Sequence, residues 1–343
     1  MDALPDFTLL RPTRLDEALG ARRDHPDGRL LGGGTDLVVN IRRGIETPPV
    51  LIDLTGVSEL RAIAADETRI EIGAAVKLAE LAVHPGVRRL YPVVAEAAAS
   101  IAGPTQRNMG TVGGNLCLDT RCIFYNQSEW WRSANDHCLK TTGQMCWVAP
   151  KSRGVCFATF SGDLAPALLT LGAEVDIAAP GGRRTLALND LYIGHARHDA
   201  EGGDGKRYLA LQEGEIVTAV RAKYVPGLRS AYDKIRIRRS IEYPVAGVAV
   251  ALCRDGAKLA DLRVAITGTN PRPVLLEGTD KLCGGALDAT VLSGLDDLVR
   301  DQIMAMKTTF TPGHYRRRVA GVLARRLVAR LFEGAAAVDN APR

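Results

Sequence analysis

Five of the seven cysteines (Cys117, Cys122, Cys138, Cys146, Cys156) and all three tryptophans (Trp130, Trp131, Trp147) fall in one 40-residue stretch, 117–156. Such a shift in composition marks an inserted module with chemistry of its own. The spacing is C-x4-C-x15-C-x7-C-x9-C. Structural zinc uses close thiolate pairs presented by a single turn, and only Cys117 and Cys122 come near that spacing. The wide gaps suit a bulkier centre fed by separate loops, and a cubane iron–sulfur cluster takes four thiolates. Within the stretch, five basic residues (Arg121, Arg132, Lys140, Lys151, Arg153) face three acidic ones (Asp119, Glu129, Asp136), which favours a centre of net negative charge. The tryptophans read as the module's own small core, and His137 as a surface neighbour of Cys138. Cys253 and Cys283 read as inert thiols.

Composition bounds the rest. At ~150 residues per domain, 343 residues suggest about two to three domains. The chain is 46% hydrophobic and 24% charged, enough to bury a core. Its 44 basic and 39 acidic residues are interleaved, and the net charge of +5 is too mild to argue for nucleic acid. The start, MDALPDFTLL, lacks a basic region followed by an apolar one. No run approaches the ~18 apolar residues of a membrane span. The expectation is a cytoplasmic protein, in which disulfides are not expected.

Along the chain, Phe7–Leu10 reads as a strand and 15–23 as a helix. LLGGGTDLVVNIR at 30–42 is a strand, a glycine turn and a helix-like stretch, and PPVLIDL at 48–54 is a buried strand. TRIEIGAA (68–75) alternates like a strand, and 78–102 is helical with interruptions at Pro85 and Pro92. Residues 164–179 read as helix then strand, 195–207 as a polar loop, and 214–268 as mostly strands. The C-terminal third is helical at 286–306 and 314–332, and the last ten residues look frayed. No internal repeat is present. The expected class is α+β, in three parts.

Two glycine-rich loops stand out. Gly32-Gly33-Gly34-Thr35-Asp36 lies between a strand and a helix. Glycines there permit positive φ and let several backbone N–H groups converge on an anion, with the helix start adding favourable charge. The loop suits a phosphate or pyrophosphate; an ordinary tight turn fits it too. It is neither a Walker loop nor GxGxxG. The second loop, Thr111-Val112-Gly113-Gly114-Asn115-Leu116, offers bare backbone, a hydroxyl and an amide. Two such loops about 80 residues apart favour an elongated dinucleotide.

GGGTDL at 32–37, RNMGTVGGNL at 107–116, SGDLAPALLTLGAEV at 161–175 and the YDKIRIR…VAGVAVAL segment at 232–252 resemble, in order, the FAD-binding subunits of molybdenum hydroxylases, the xanthine and carbon monoxide dehydrogenase group. The resemblance covers roughly the whole chain. It implies a two-lobed FAD-binding domain of the vanillyl-alcohol-oxidase type followed by a C-terminal α/β domain. The corresponding divisions are 1–55 for the first lobe, 56–222 for the second with an insertion at 117–158, 223–335 for the C-terminal domain, and a tail at 336–343. By the same resemblance, Leu31, Gly32, Gly33, Gly34, Thr35, Asp36 and Leu37 wrap the pyrophosphate. Thr111, Gly114, Asn115 and Leu116 line the flavin side, Asp163 holds ribose hydroxyls, Ile216 packs near the ring, and Lys234 approaches the isoalloxazine. Read from the residues alone, Asp163 also fits a helix N-cap before Leu164, and Lys234 a solvated strand lysine. One departure is plain: where many relatives have Asp-Ile-Ala after the lysine, this chain has Glu242-Tyr243-Pro244.

The cysteine insertion resembles one branch, the β subunit of 4-hydroxybenzoyl-CoA reductase. That likeness implies a [4Fe-4S] cluster, with Cys122, Cys138, Cys146 and Cys156 chosen as ligands and Cys117 left to the flavin loop. It further implies an electron-transfer oxidoreductase subunit with no catalytic residues of its own. Electrons would run from ferredoxin to the cluster, to FAD, to [2Fe-2S] clusters of a small subunit, and to molybdopterin in a large subunit. There 4-hydroxybenzoyl-CoA would be dehydroxylated to benzoyl-CoA, in a dimer of heterotrimers. Two alternatives remain: a flavin subunit of an oxidising hydroxylase, sending electrons outward, and a non-redox insertion stabilised by zinc for docking.

Overall fold

The computed structural model describes residues 4–195, 203–238 and 240–334. Most of the polar loop expected at 195–207, and the tail expected at 336–343, lie outside the described residues.

Three sheets follow one another along the chain. The first is parallel: β1 (Thr8–Leu10), β2 (Arg29–Leu31) and β3 (Val50–Asp53), in the order β1-β3-β2. Helices α1 (Leu15–Asp24) and α2 (Leu37–Arg42) make its crossovers, as parallel pairing requires. The turn between β2 and α2 carries the three glycines.

The second sheet is antiparallel, in the order β4-β5-β8-β6-β7: β4 (Ile63–Ala65), β5 (Arg69–Gly73), β6 (Glu174–Ala179), β7 (Gly182–Ala187) and β8 (Ile216–Lys223). Between β5 and β6 run α3 (Leu78–Val83), α4 (Pro85–Leu90), α5 (Pro92–Ser100), α6 (Pro104–Arg107), α7 (Val112–Leu116), α8 (Glu129–Ala134) and α9 (Leu164–Thr170). Pro85 and Pro92, expected as interruptions, each occupy the first turn of a new helix. Proline is tolerated there because the missing N–H would have had no intrahelical partner.

The third sheet is β9 (Arg229–Ile235), β10 (Ala246–Asp255), β11 (Lys258–Thr267) and β12 (Val274–Leu275), antiparallel in the order β12-β11-β10-β9. It is covered by α10 (Ala289–Gln302) and α11 (Gly313–Glu333), whose Leu295, Val299, Leu323 and Leu327 pack on Val248, Val250 and Val264.

One short helix ties the second and third sheets together. All seven residues of α9 are buried. An all-apolar helix is stable only when it is enclosed on every side. Here the enclosing walls include Val175 of β6, Ala249 of β10, Ala265 of β11 and Ala98 of α5. The start of α9 is thereby fixed beside β9, and that fixes Asp163. Among the described residues, no helix is long and apolar enough to cross a membrane.

The insertion has little regular structure beyond α8, so side chains hold it in place. Arg132 is buried and donates to the carbonyls of Gln127 and Gly44, the latter at 2.8 Å. Thr159 and Thr308 share a hydroxyl bond at 2.8 Å, and the Ile123 N–H donates to the Thr308 carbonyl. Losing a hydrogen-bonded charged group costs ~1.5–3 kcal/mol. Arg132→Met is therefore expected to lower stability by about 2–3 kcal/mol and to expose 117–156 to a protease first, read by limited digestion and mass spectrometry. Uniform digestion of the chain would show that Arg132 does not anchor the insertion.

Candidate functional site

The two glycine loops meet face to face. Thr111 Oγ1 donates to the Gly32 carbonyl at 2.8 Å and accepts from the Gly114 N–H at 3.2 Å. Gly33 has φ +106°, and a Cβ on it would stand 2.0 Å from the Met109 carbonyl oxygen. A Cβ on Gly32 would stand 2.6 Å from Thr111 Oγ1. These glycines are thus required by the approach of the second loop, in addition to leaving bare backbone for a ligand. The segment 112–116, read from sequence as a loop, is a helical turn with Thr111 as its N-cap.

Between the loops and the second sheet lies a cavity of about 530 Å³, within the ~300–1,000 Å³ usual for small-molecule and cofactor sites. Of the residues expected to hold a flavin dinucleotide, Gly32, Gly34, Thr35, Asp36, Leu37, Thr111, Gly114, Asn115, Asp163 and Ile216 line it. Leu31, Gly33, Leu116 and Lys234 do not line it. Leu116 is fully buried, with its carbonyl taking the Tyr192 hydroxyl at 2.9 Å. The sequence reading missed Ala74 and Ala75 at the end of β5, Tyr208, and Glu215 beside Ile216. Small residues at a strand end carry no signal that could have found them. Bare glycine backbone, hydroxyls such as Thr35 and Thr111, the Asn115 amide and the Asp163 carboxylate converging on one space form a donor set that fits a dinucleotide.

Asp163 occupies the N-cap position of α9 but makes no cap bond. The cap falls to Asn115, whose Oδ1 accepts the Leu164 N–H at 3.0 Å. The Asp163 carboxylate is bound instead by Lys234, with Nζ 3.0 Å from Oδ1 and 3.1 Å from Oδ2, and by the Tyr232 hydroxyl at 2.5 Å. The Lys234 and Asp163 side chains are only 2% and 4% exposed, so Lys234 is not the solvated strand lysine its sequence allowed. Burial pulls the Lys234 ammonium below its usual range, and the carboxylate beside it opposes that. Burial, then the same carboxylate, pushes the Tyr232 phenol well above its usual value. Three of the roughly four acceptor positions of Asp163 are taken, leaving one for a hydroxyl in the cavity. Lys234 also reaches the Glu242 carbonyl at 3.4 Å, so the departure at 242–244 packs onto this pair.

The insertion abuts the same cavity. Cys122, Cys138, Cys146 and Cys156 are all buried, and Cys122 and Cys138 share a small core with Tyr125, Phe124 and Trp147. The Cys146 and Cys156 thiols act on each other, which pulls Cys146 below the usual thiol range and drives Cys156 above it. Burial lifts Cys122 to about 11, and the charges of Cys138 and Cys146 act on it in the same direction. The four thiols therefore form one neighbourhood. Among the described residues, no group of three or more His, Cys, Asp or Glu stands close enough to hold a single metal ion. Cys117 lies apart at the end of α7, lining the cavity, and burial pushes its thiol to about 12. The tryptophans divide: Trp147 joins the module core, Trp131 stacks on Phe124 with centroids 6.3 Å apart, and Trp130 is 80% exposed, against the expectation of a core residue.

Comparison with known proteins gives a consistent assignment. Residues 5–222 match the family "FAD binding domain in molybdopterin dehydrogenase", and residues 230–331 match the "CO dehydrogenase flavoprotein C-terminal domain". The aldehyde oxidoreductase FAD-binding subunit of Escherichia coli K12 is 31% identical, over 91% of this chain and 95% of the relative. The carbon monoxide dehydrogenase medium chain of Afipia carboxidovorans is 28% identical, over 89% of this chain and 88% of the relative. The solved structure of reconstituted CO dehydrogenase from Oligotropha carboxidovorans superposes with a TM-score of 0.77 at 26% identity, covering 96% of this chain and 99% of that one. These matches carry the family and do not single out 4-hydroxybenzoyl-CoA reductase within it.

Proposed function

The chain belongs to the FAD-binding subunits of molybdenum hydroxylases, the group of the CO and xanthine dehydrogenase medium chains, and from that membership we propose that it is a flavin subunit carrying a second redox centre in its insertion. It is an oxidoreductase subunit with a mixed α/β FAD-binding domain and a C-terminal domain. Bound FAD supplies a carrier able to exchange one or two electrons. This chain's residues hold and orient it. The loop 31–37 cradles the pyrophosphate, Thr111, Gly114 and Asn115 line the flavin side, Asp163 takes a ribose hydroxyl, Lys234 and Tyr232 fix Asp163, and Ile216 packs beside the ring.

The proposed second centre is a [4Fe-4S] cluster on Cys122, Cys138, Cys146 and Cys156. The observation that supports it is the burial of these four thiols in one inserted segment, Cys122 and Cys138 in a shared core, while Cys117 lies on the cavity wall. A cubane is wider than a single ion, so its thiolates stand further apart than zinc ligands do.

Substrate chemistry lies in partner chains, for which we propose a small [2Fe-2S] subunit and a large molybdopterin subunit. Likeness to the aldehyde oxidoreductase subunit supports an oxidising complex. The thiol quartet favours a second reading, a ferredoxin-driven 4-hydroxybenzoyl-CoA reductase, because a reductase needs a port for strongly reducing electrons. The purified complex distinguishes them without oxygen. Oxidation of aldehydes with an electron acceptor, and no benzoyl-CoA from 4-hydroxybenzoyl-CoA plus a reduced low-potential donor, is the result expected of the oxidising complex. Benzoyl-CoA formation would overturn it in favour of the reductase. In either complex, Cys122→Ser is expected to lose most of the chain's iron, measured by metal analysis; full iron retention would remove Cys122 from the ligand set.

A further inference from the structure

The insertion does more than border the flavin cavity, since one of its side chains forms part of the wall. Arg121, next to Cys122, lines the cavity beside Asp36 of the glycine loop. Its guanidinium stands 2.9 Å from Asp36 Oδ2 and 3.6 Å from Asp119 Oδ2, and donates to Asn126 Oδ1 at 3.2 Å. The side chain is only 10% exposed, and the planar face lies over the Tyr125 ring at 5.3 Å. Its Nε is buried and has no hydrogen-bond partner among the described residues. A buried guanidinium N–H left unpaired is costly, and here it belongs to a residue on a cavity wall.

The charge at this end of the cavity makes the same point. Asp36 places a carboxylate on the very loop where an anion would bind, and that opposes binding unless a cation offsets it. Its Oδ1 accepts the Tyr243 hydroxyl at 3.0 Å and its Oδ2 the Asn40 amide at 2.9 Å, both neutral donors. The other cations lining this end are Arg29, paired to Glu46 at 2.8 Å, and the exposed Arg43. Asp119 is held by Lys140 at 2.7 Å. Arg121 is the cation in contact with Asp36, and it comes from the inserted segment. Its backbone is pinned to Thr159 across the module's base, in both directions, at 2.8 Å.

We propose that Arg121 is a cofactor-binding residue: from the cavity wall it neutralises Asp36 and presents its guanidinium charge to the phosphates of the dinucleotide, so that the insertion forms part of the flavin cradle. The proposal rests on the reading that this cavity takes FAD. Flavin affinity thereby becomes dependent on the folded state of the cysteine module.

The test is equilibrium binding of FAD, FMN and riboflavin to the deflavinated full chain, with its co-purifying subunits, followed by flavin fluorescence. A charge-assisted hydrogen bond is worth ~1.5–3 kcal/mol, so Arg121→Gln is expected to weaken FAD about 10- to 100-fold. Riboflavin, which has no phosphate, should bind the variant and the parent alike. Iron and sulfide content, measured on the same samples, should be unchanged. Equal FAD affinity in variant and parent overturns the proposal, and so does an equal loss for riboflavin. Should Arg121→Gln not fold, Arg121→Lys retains the charge and should keep the parent's preference for FAD over riboflavin; loss of that preference overturns the proposal. If the parent itself binds none of the three flavins, the reading of the cavity fails instead.

Discussion

Replacing Asp163 by alanine is expected to destabilise the chain by about 3–5 kcal/mol, the range for stranding one member of a buried ion pair. The reason is local. Lys234 Nζ lies 3.0 Å from the carboxylate and its side chain is 2% exposed, so its charge is left without its ion partner at a buried position. The Tyr232 hydroxyl loses its acceptor in the same step. Denaturant unfolding reads the loss. The double variant Asp163→Ala/Lys234→Met should recover much of it, because removing both charges is far cheaper than removing one. A double variant no more stable than the single one would contradict this account.

The pH dependence has a definite sign. Burial already holds the Lys234 ammonium below its usual range, and Asp163 is what opposes that depression. Without Asp163 the folded-state value falls further. Between it and the ordinary lysine value the unfolded chain binds the extra proton, so stability rises with pH in that window. The deficit of Asp163→Ala should therefore shrink as pH is raised toward the ordinary lysine value. A deficit that grew on raising pH would show that Lys234 is not the stranded charge.

Gly33→Ala should be the most damaging single substitution in the flavin cradle. The φ of +106° is strained for any side chain, and the new Cβ would stand 2.0 Å from a backbone oxygen, which cannot swing aside. Such strained conformations cost ~1–3 kcal/mol before any clash is counted. Separation of the two loops would break the Thr111–Gly32 bond and widen the site. As-purified flavin content is expected to fall more than about 10-fold, with most of the fold kept. Gly181→Ala is the control, because a Cβ there meets nothing within 4 Å. Normal flavin content in Gly33→Ala would show that the loop approach does not shape the site.

What could be read from the chain follows the range of the interactions. The glycine turn was legible because β2, the turn and α2 are contiguous, and each residue's demand on the backbone is local. The cysteine-rich insertion was legible as a compositional excess, and Cys122, Cys138, Cys146 and Cys156 are all buried in it, while Cys117 lines the cavity. The Asp163–Lys234 pair joins groups 71 positions apart, through the packing of α9 on β10 and β11. Nothing in either local sequence excludes a capping aspartate or a surface lysine, and the cap was in fact supplied by Asn115, 49 positions upstream. Trp130 eluded the reading for a similar reason. In a six-residue helix only one face can turn inward, and Trp131 and Arg132 occupy it. The role of Arg121 needed the structure altogether, since its partner Asp36 lies 85 positions away in another lobe.

A flavin and a cubane cluster held by one chain, as proposed above, fix its content of iron, sulfide and flavin. Iron, acid-labile sulfide, zinc and flavin are measured together on protein purified without oxygen. The account predicts about four iron and four sulfide per FAD, with no stoichiometric zinc. Stoichiometric zinc without sulfide, beside normal FAD, would contradict it and make the cysteine module a structural decoration of an ordinary flavin subunit.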